Sequence, residues 1–450
     1  MRRLLGLIAL WGLLLIDIQP ASAQEAFGIV NTGVTSNFPQ DITFHLTARS
    51  PADITDAEVR FQVENRSCAQ VENSGFAEVT PGRLVTTRWT WDMRRGGSLP
   101  PGATVQYRWI VRDVTGGVVE SDKQSYEMTD DQHSWQTISR DRLTLSWYTS
   151  DQPFAEALMQ SAQDALERLE VSTGARPQGE VKLFIYGSAQ ELQESLVFPQ
   201  EWTGGVSFTG FDIVAIGIPP GSLVWGQRAV AHELTHVVMD QLTFSCISDV
   251  PTWLAEGLAT LNEDPTGASQ SEYVSALNSA VGSDGLLSVR GIGGSFPTAQ
   301  GEAILAYGQS FSLVEYLVNT YGAERMESLL SAFSSGSTAD AALEHVYGFD
   351  QSGLEVEWRD YIGAQPMIGV PGVGTLTPAV PAIPTFEPFT LDTPTPSDSA
   401  PVQQPTGGGC NAGLQLPSMS HTTGPLAMLF GLAPVMLASL VLGVRRRRRE

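Results

Sequence analysis

The sequence predicts a multidomain chain: an N-terminal all-β sandwich, an α+β domain, a Pro-rich stalk and one transmembrane helix. Three observations predict it. Short stretches of alternating apolar and polar residues fill the first third, strands give way to helices across the middle, and the end combines a run of prolines with a long uncharged apolar segment. At 450 residues the chain exceeds what one compact core holds, so division into units is expected from length alone.

Residues 1–23 read as a secretory signal. Arg2 and Arg3 open it, Leu4–Ile16 form a short apolar run, and Ala21-Ser22-Ala23 supply small residues for cleavage. The alternative is an uncleaved N-terminal anchor. Residues 24–132 read as β. Asp41–Thr47, Ala57–Val63, Arg83–Trp91 and Thr104–Val111 alternate apolar and polar positions, with turn-rich breaks at Arg95–Gly102 and Thr115–Gly117. Short strands at that spacing predict a sandwich of the immunoglobulin or fibronectin type.

Residues 133–365 change character. A strand at Arg142–Trp147 leads into a helix on which Phe154, Leu158, Ala162, Leu166 and Leu169 recur at helical spacing. A strand follows at Val181–Tyr186, a short helix near Ala189–Leu196, and a strand at Phe211–Gly217. This last strand is expected to be the edge beside a cleft, where an extended peptide could pair with it. From Gln227 onward the pattern is helical, and strands before helices is the order of an α+β unit.

The linker, residues 366–423, is Pro-rich: residues 366–417 hold 11 of the 27 prolines and neither Lys nor Arg, a composition that reads as extended. Residues 424–444 are 21 uncharged, mostly apolar residues, about 31 Å as a helix. Residues 445–450 begin with five arginines, which favours a cytoplasmic tail with the rest of the chain outside. The net charge of −23 argues against a nucleic-acid partner, because phosphate would be repelled. The three cysteines, Cys68, Cys246 and Cys410, sit in separate regions and imply no disulfide framework; a Cys68–Cys246 bridge between domains stays open beside unbridged core cysteines.

Chemistry concentrates in Ala229-Val-Ala-His-Glu-Leu-Thr-His-Val-Val-Met-Asp240. Four residues apart on a helix, His232 and His236 share one face and can hold one ion. Glu233, beside the first ligand, is placed to act as general base on metal-bound water rather than to bind metal. Zinc needs a third ligand. Pro251-Thr-Trp-Leu-Ala-Glu-Gly-Leu-Ala259 offers Glu256, 20 positions after His236, a charge among apolar neighbours that a cation would explain. Asp240, one turn beyond His236, is either a carboxylate that orients a ligand imidazole or a solvated helix-end residue.

His-Glu-x-x-His followed by Trp-Leu-x-Glu-Gly-Leu-Ala resembles the gluzincin clan of zinc peptidases, in particular the peptidase MA-like domains. The resemblance covers about residues 134–364. Gly204-Gly205 with the strand before the helix, Ala306-Tyr-Gly-Gln-Ser310 and Glu315-Tyr-Leu-Val-Asn-Thr-Tyr-Gly322 agree with it. It implies Zn²⁺, a thermolysin-like α+β core, Glu233 as general base, and a zinc metalloendopeptidase or aminopeptidase-like hydrolase acting on a peptide or protein substrate. It also points to Tyr307 as the residue that stabilises the oxyanion, although Tyr307 shares a face with Phe311, Val314 and Val318 as a core tyrosine would. Tyr316 and Tyr321 are weaker candidates. The whole then reads as a single-pass enzyme of the cell membrane with its catalytic domain outside. A binding protein with an inactive metal site, and a zinc hydrolase of a non-peptide substrate, remain as alternatives. The tail also resembles bacterial C-terminal sorting signals, with Gly407–Gly413 before the span and Cys410 as a re-anchoring point, against a permanent anchor.

Overall fold

The computed structural model describes residues 26–197, 204–263 and 271–366. The expected signal segment, the membrane span, the basic tail, Cys410 and all but the first residue of the stalk lie outside the described residues. Among those described, no helix is long and apolar enough to cross a membrane.

Seven antiparallel strands build the N-terminal domain: β1 (Gly28–Asn37), β2 (Asp41–Val63), β3 (Asn73–Ala77), β4 (Gly82–Asp92), β5 (Thr104–Asp113), β6 (Val118–Glu120) and β7 (Gln124–Glu127). They form one hydrogen-bonded sheet, which corrects the expected immunoglobulin-like pair of sheets. The stretches Asp41–Thr47 and Ala57–Val63 are a single 23-residue strand, β2. Its first half lies between β1 and β4, with Phe44 opposite Val34 and Trp89. Its second half lies between β3 and β5, with Val59 opposite Gly75 and Trp109. The register shifts between Arg49 and Ile54, around Pro51, which has no N–H to give the ladder. Buried apolar positions on β2 are even-numbered as far as Ile54 (Ile42, Phe44, Leu46, Ala48) and odd from Ala57 (Val59, Phe61). A bulge makes that parity change, and it keeps one face of a bent strand on one core.

The second domain opens with β8 (Gln136–Arg140) and β9 (Leu143–Trp147), then α1 (Gln152–Thr173), β10 (Val181–Tyr186), α2 (Ala189–Glu194), β11 (Gly205–Phe208) and β12 (Ile213–Gly217). The sheet order is β11-β12-β10-β9-β8. The strands β9, β10 and β12 are parallel, and the two outer ones run antiparallel. Phe211–Gly217 is therefore not the edge: Asp212, at φ 58°, turns the chain back so that β11 covers β12.

Helices follow: α3 (Leu223–Thr243), α4 (Thr252–Glu263), α5 (Ser271–Ser283), α6 (Gly291–Gly294), α7 (Gln300–Tyr321), α8 (Ala323–Ser334), α9 (Ala339–Tyr347) and α10 (Gln351–Tyr361). Asp151 caps α1 by accepting from the Phe154 N–H at 3.1 Å, and Gly174 ends it in the left-handed region. Leu158, Ala162 and Leu169 of α1 then meet Leu234, Val237 and Val238 of α3 over the inner face of the sheet. A second core, around Trp253, Leu313 and Trp358, joins α4 to the later helices. There Gly257 lets α4 touch α7 backbone to backbone, since a Cβ would lie 2.3 Å from the Ser310 carbonyl oxygen.

The two domains share a boundary of packed side chains. Phe184, Phe208, Phe211 and Ile213 extend the core of the β-domain. Tyr186 donates to Asp130 at 3.1 Å, and Lys182 donates to the Gly102 carbonyl at 3.0 Å. Cys68 and Cys246 form a disulfide with Cα atoms 5.5 Å apart, the bridge that spacing alone had left open.

Candidate metal centre

Helix α3 is buried on nearly every side over residues 229–239, packed between the sheet and α4. That burial brings His232 and His236 together with their ring centroids 4.8 Å apart. Helix α4 supplies Glu256, whose Oε2 lies 3.3 Å from His232 Nε2 and 3.8 Å from His236 Nε2. One ligand atom from each residue falls within 4.8 Å of the others, and the three residues are 0%, 5% and 2% exposed. His236 Nε2 makes no hydrogen bond. A buried polar atom left so costs about 1–3 kcal/mol, and a cation among these atoms would remove that cost. Two imidazole nitrogens and one carboxylate oxygen are the donor set of a three-ligand zinc site, so the residues fit the ion.

The charges agree. Burial alone would lower the His232 pKa, but Glu256 and Glu263 beside it carry it to about 10. Burial and the neighbouring His232 push His236 well below the usual histidine range, and burial raises Glu256. Glu256 and Glu263 thus favour positive charge where a bound cation would sit.

Glu233 stands apart from the three. Its Oε2 accepts from the Ser207 hydroxyl on β11, while Ser207 also lies 2.9 Å from the Glu233 carbonyl. Its Oε1 has no hydrogen-bond partner. Gly205 leaves room for it, since a Cβ there would sit 2.8 Å from Oε1. Burial pushes its pKa up to about 7.

Glu263 is a residue that the sequence reading missed. Its Oε1 lies 2.8 Å from His232 Nδ1, where a carboxylate holds the ring so that Nε2 faces the ligand cluster. The signal was present, for Glu263 follows Glu256 by seven positions, two turns on one helix face. Asp240 serves neither of the roles expected for it. It pairs with Arg66 of the β-domain, which also meets Asp212 at 2.6 Å, so it fastens α3 to the other domain rather than orienting an imidazole. No local signal marked Arg66.

Tyr307, on α7, stacks on Tyr273 of α5 with centroids 5.7 Å apart and meets Phe296 edge-on at 5.0 Å. Burial, followed by the charges of Glu256, Tyr273 and Glu233, holds its hydroxyl well above the usual range. Tyr273, also missed, feels burial and then Glu263 and Glu256. Tyr316 and Tyr321 belong to the helical core instead, with their hydroxyls 3.4 Å apart.

Comparison with known proteins adds one match in sequence. The family model of the Peptidase MA superfamily matches residues 161–364. A search of curated proteins found no match. Among solved structures, the chain is similar to an M1 zinc metallopeptidase from Deinococcus radiodurans, with 13% identity, 74% of this chain and 93% of that one covered, and a TM-score of 0.32. It is similar to an aminopeptidase N family protein from Idiomarina loihiensis, with 10% identity, 71% and 73% covered, and a TM-score of 0.36. A catalytically inactive OgpA from Akkermansia muciniphila, in complex with an O-glycopeptide, aligns over 24% of this chain and 29% of its own length, with 9% identity and a TM-score of 0.18.

Proposed function

We propose, from the match of the Peptidase MA superfamily model over residues 161–364, that the protein is a zinc-dependent peptidase tethered to the outer face of a membrane. One observation carries the catalytic part: three buried ligand atoms converge, and beside them a further carboxylate, Glu233, is held by Ser207 and takes no part in the cluster. Zinc bound there would polarise the scissile carbonyl and acidify the attacking water. Glu233 would take the proton of that water and return it to the leaving amine. Ser207 fixes the carboxylate on the β11 side. Glu263 holds the His232 ring. The Tyr307 hydroxyl donates to the oxyanion as it forms.

The location is supported by the signal-like start and the apolar span, and by the Cys68–Cys246 disulfide, which suits an oxidising compartment. Protease added to intact cells should release the folded part through the stalk; protection until lysis would reverse the proposed orientation.

The mechanism is tested by Glu233→Gln, a nearly isosteric change that removes the base. The variant should keep a full equivalent of zinc by elemental analysis and lose almost all cleavage of a peptide pool. Equal cleavage by variant and wild type would end this mechanism. Tyr307→Phe should keep zinc and lower turnover by about 10²–10³, whereas wild-type turnover would make Tyr307 a packing residue only.

A further inference from the structure

One charged residue of the zinc helix has no place in the chemistry above. Arg228 lies four positions before His232 and eight before His236, so on α3 it extends the ligand face by one turn, about 5.4 Å, toward the helix start. It is half-buried, and its Nε is buried without a hydrogen-bond partner. The other arginines withdrawn from solvent among the described residues each meet a carboxylate or a backbone carbonyl, as Arg66 and Arg359 do. Arg228 meets none. Nor is it the counter-ion of the centre, where Glu256 and Glu263 already face His232. It borders the helix face that carries the candidate metal site, one turn before His232.

A guanidinium partly out of water with no acid beside it is costly in a chain of net charge −23, where acids to pair with are plentiful. Its planar fork matches a carboxylate with two parallel hydrogen bonds. We propose that Arg228 sets the specificity of this site by receiving a carboxylate of the peptide substrate, carried on an acidic side chain or at the peptide's C-terminus. The inference rests on the peptidase reading and names its substrate class.

The test uses the purified zinc-loaded full chain and pairs of peptides that differ only in charge: Glu against Gln near the cleaved bond, and a free against an amidated C-terminus. In competition, the wild type should favour one carboxylate member by about tenfold or more in kcat/KM. Arg228→Gln should bring that ratio to about one, and Arg228→Lys should keep part of it. The pair that shows the ratio identifies the source of the carboxylate. Equal treatment of both pairs by the wild type overturns the inference and leaves the peptidase reading intact, as does a uniform loss across all peptides in Arg228→Gln. Absence of cleavage for every peptide would instead strike the peptidase reading. Binding then decides the inference: the Glu233→Gln protein should bind the carboxylate member about tenfold more tightly, and equal dissociation constants for the pair refute it.

Discussion

The ends of two helices in the metal centre look alike in sequence and do opposite things. On α3, Asp240 follows the ligand His236 by one turn; on α4, Glu263 follows the ligand Glu256 by two. The first carboxylate leaves the centre and meets Arg66 of the other domain, whereas the second crosses to His232 at 2.8 Å. Helical spacing therefore tells which face a carboxylate shares with a ligand, but not what stands opposite that face. Opposite Glu263 stands α3 itself, held there by Asn262, which donates to Thr235 Oγ1 at 2.8 Å and to the Ala165 carbonyl at 3.1 Å. Opposite Asp240 stands the β-domain, tied down close by through Cys68–Cys246. One end serves the metal, and the other serves the union of the domains.

That division can be broken by measurement. The largest effect is expected from removing the disulfide. It closes a separation of 178 residues, and a Cys68→Ser, Cys246→Ser double variant should lose about 2–5 kcal/mol in denaturant unfolding while binding zinc as before. Weaker zinc binding in that variant would mean that the domain junction shapes the centre. Glu263→Gln should act on the metal instead, lowering zinc affinity by about 10–100-fold in competition with a chromophoric chelator. The smallest effect belongs to the ion pair. Asp240→Asn should cost about 1–2 kcal/mol of stability, and adding it to Arg66→Gln should cost little more than Arg66→Gln alone, because Arg66 holds both Asp240 and Asp212. If Asp240→Asn weakens zinc as much as Glu263→Gln does, the contrast between the two ends collapses.

The sequence alone determined what depends on near neighbours along the chain. Helical periodicity places His232 and His236 on one face, sets Glu233 beside them rather than among them, and puts a buried carboxylate, Glu256, on the next helix. The same local rule found α1, through Phe154, Leu158, Ala162 and Leu169. Tertiary structure decided whatever depends on residues far apart. Alternation along Asp41–Thr47 and Ala57–Val63 marked two strands, but only the partners β1, β4, β3 and β5 show them to be one bent strand shared by both halves of a single sheet. The edge beside the centre is β11 because the turn at Asp212 folds it over β12, and a pattern of apolar residues does not record which strand lies outermost. Glu263, Ser207 and Arg66 acquire their roles from what packing sets against them. A side chain's spacing is written in its own helix, whereas its partner comes from another part of the chain.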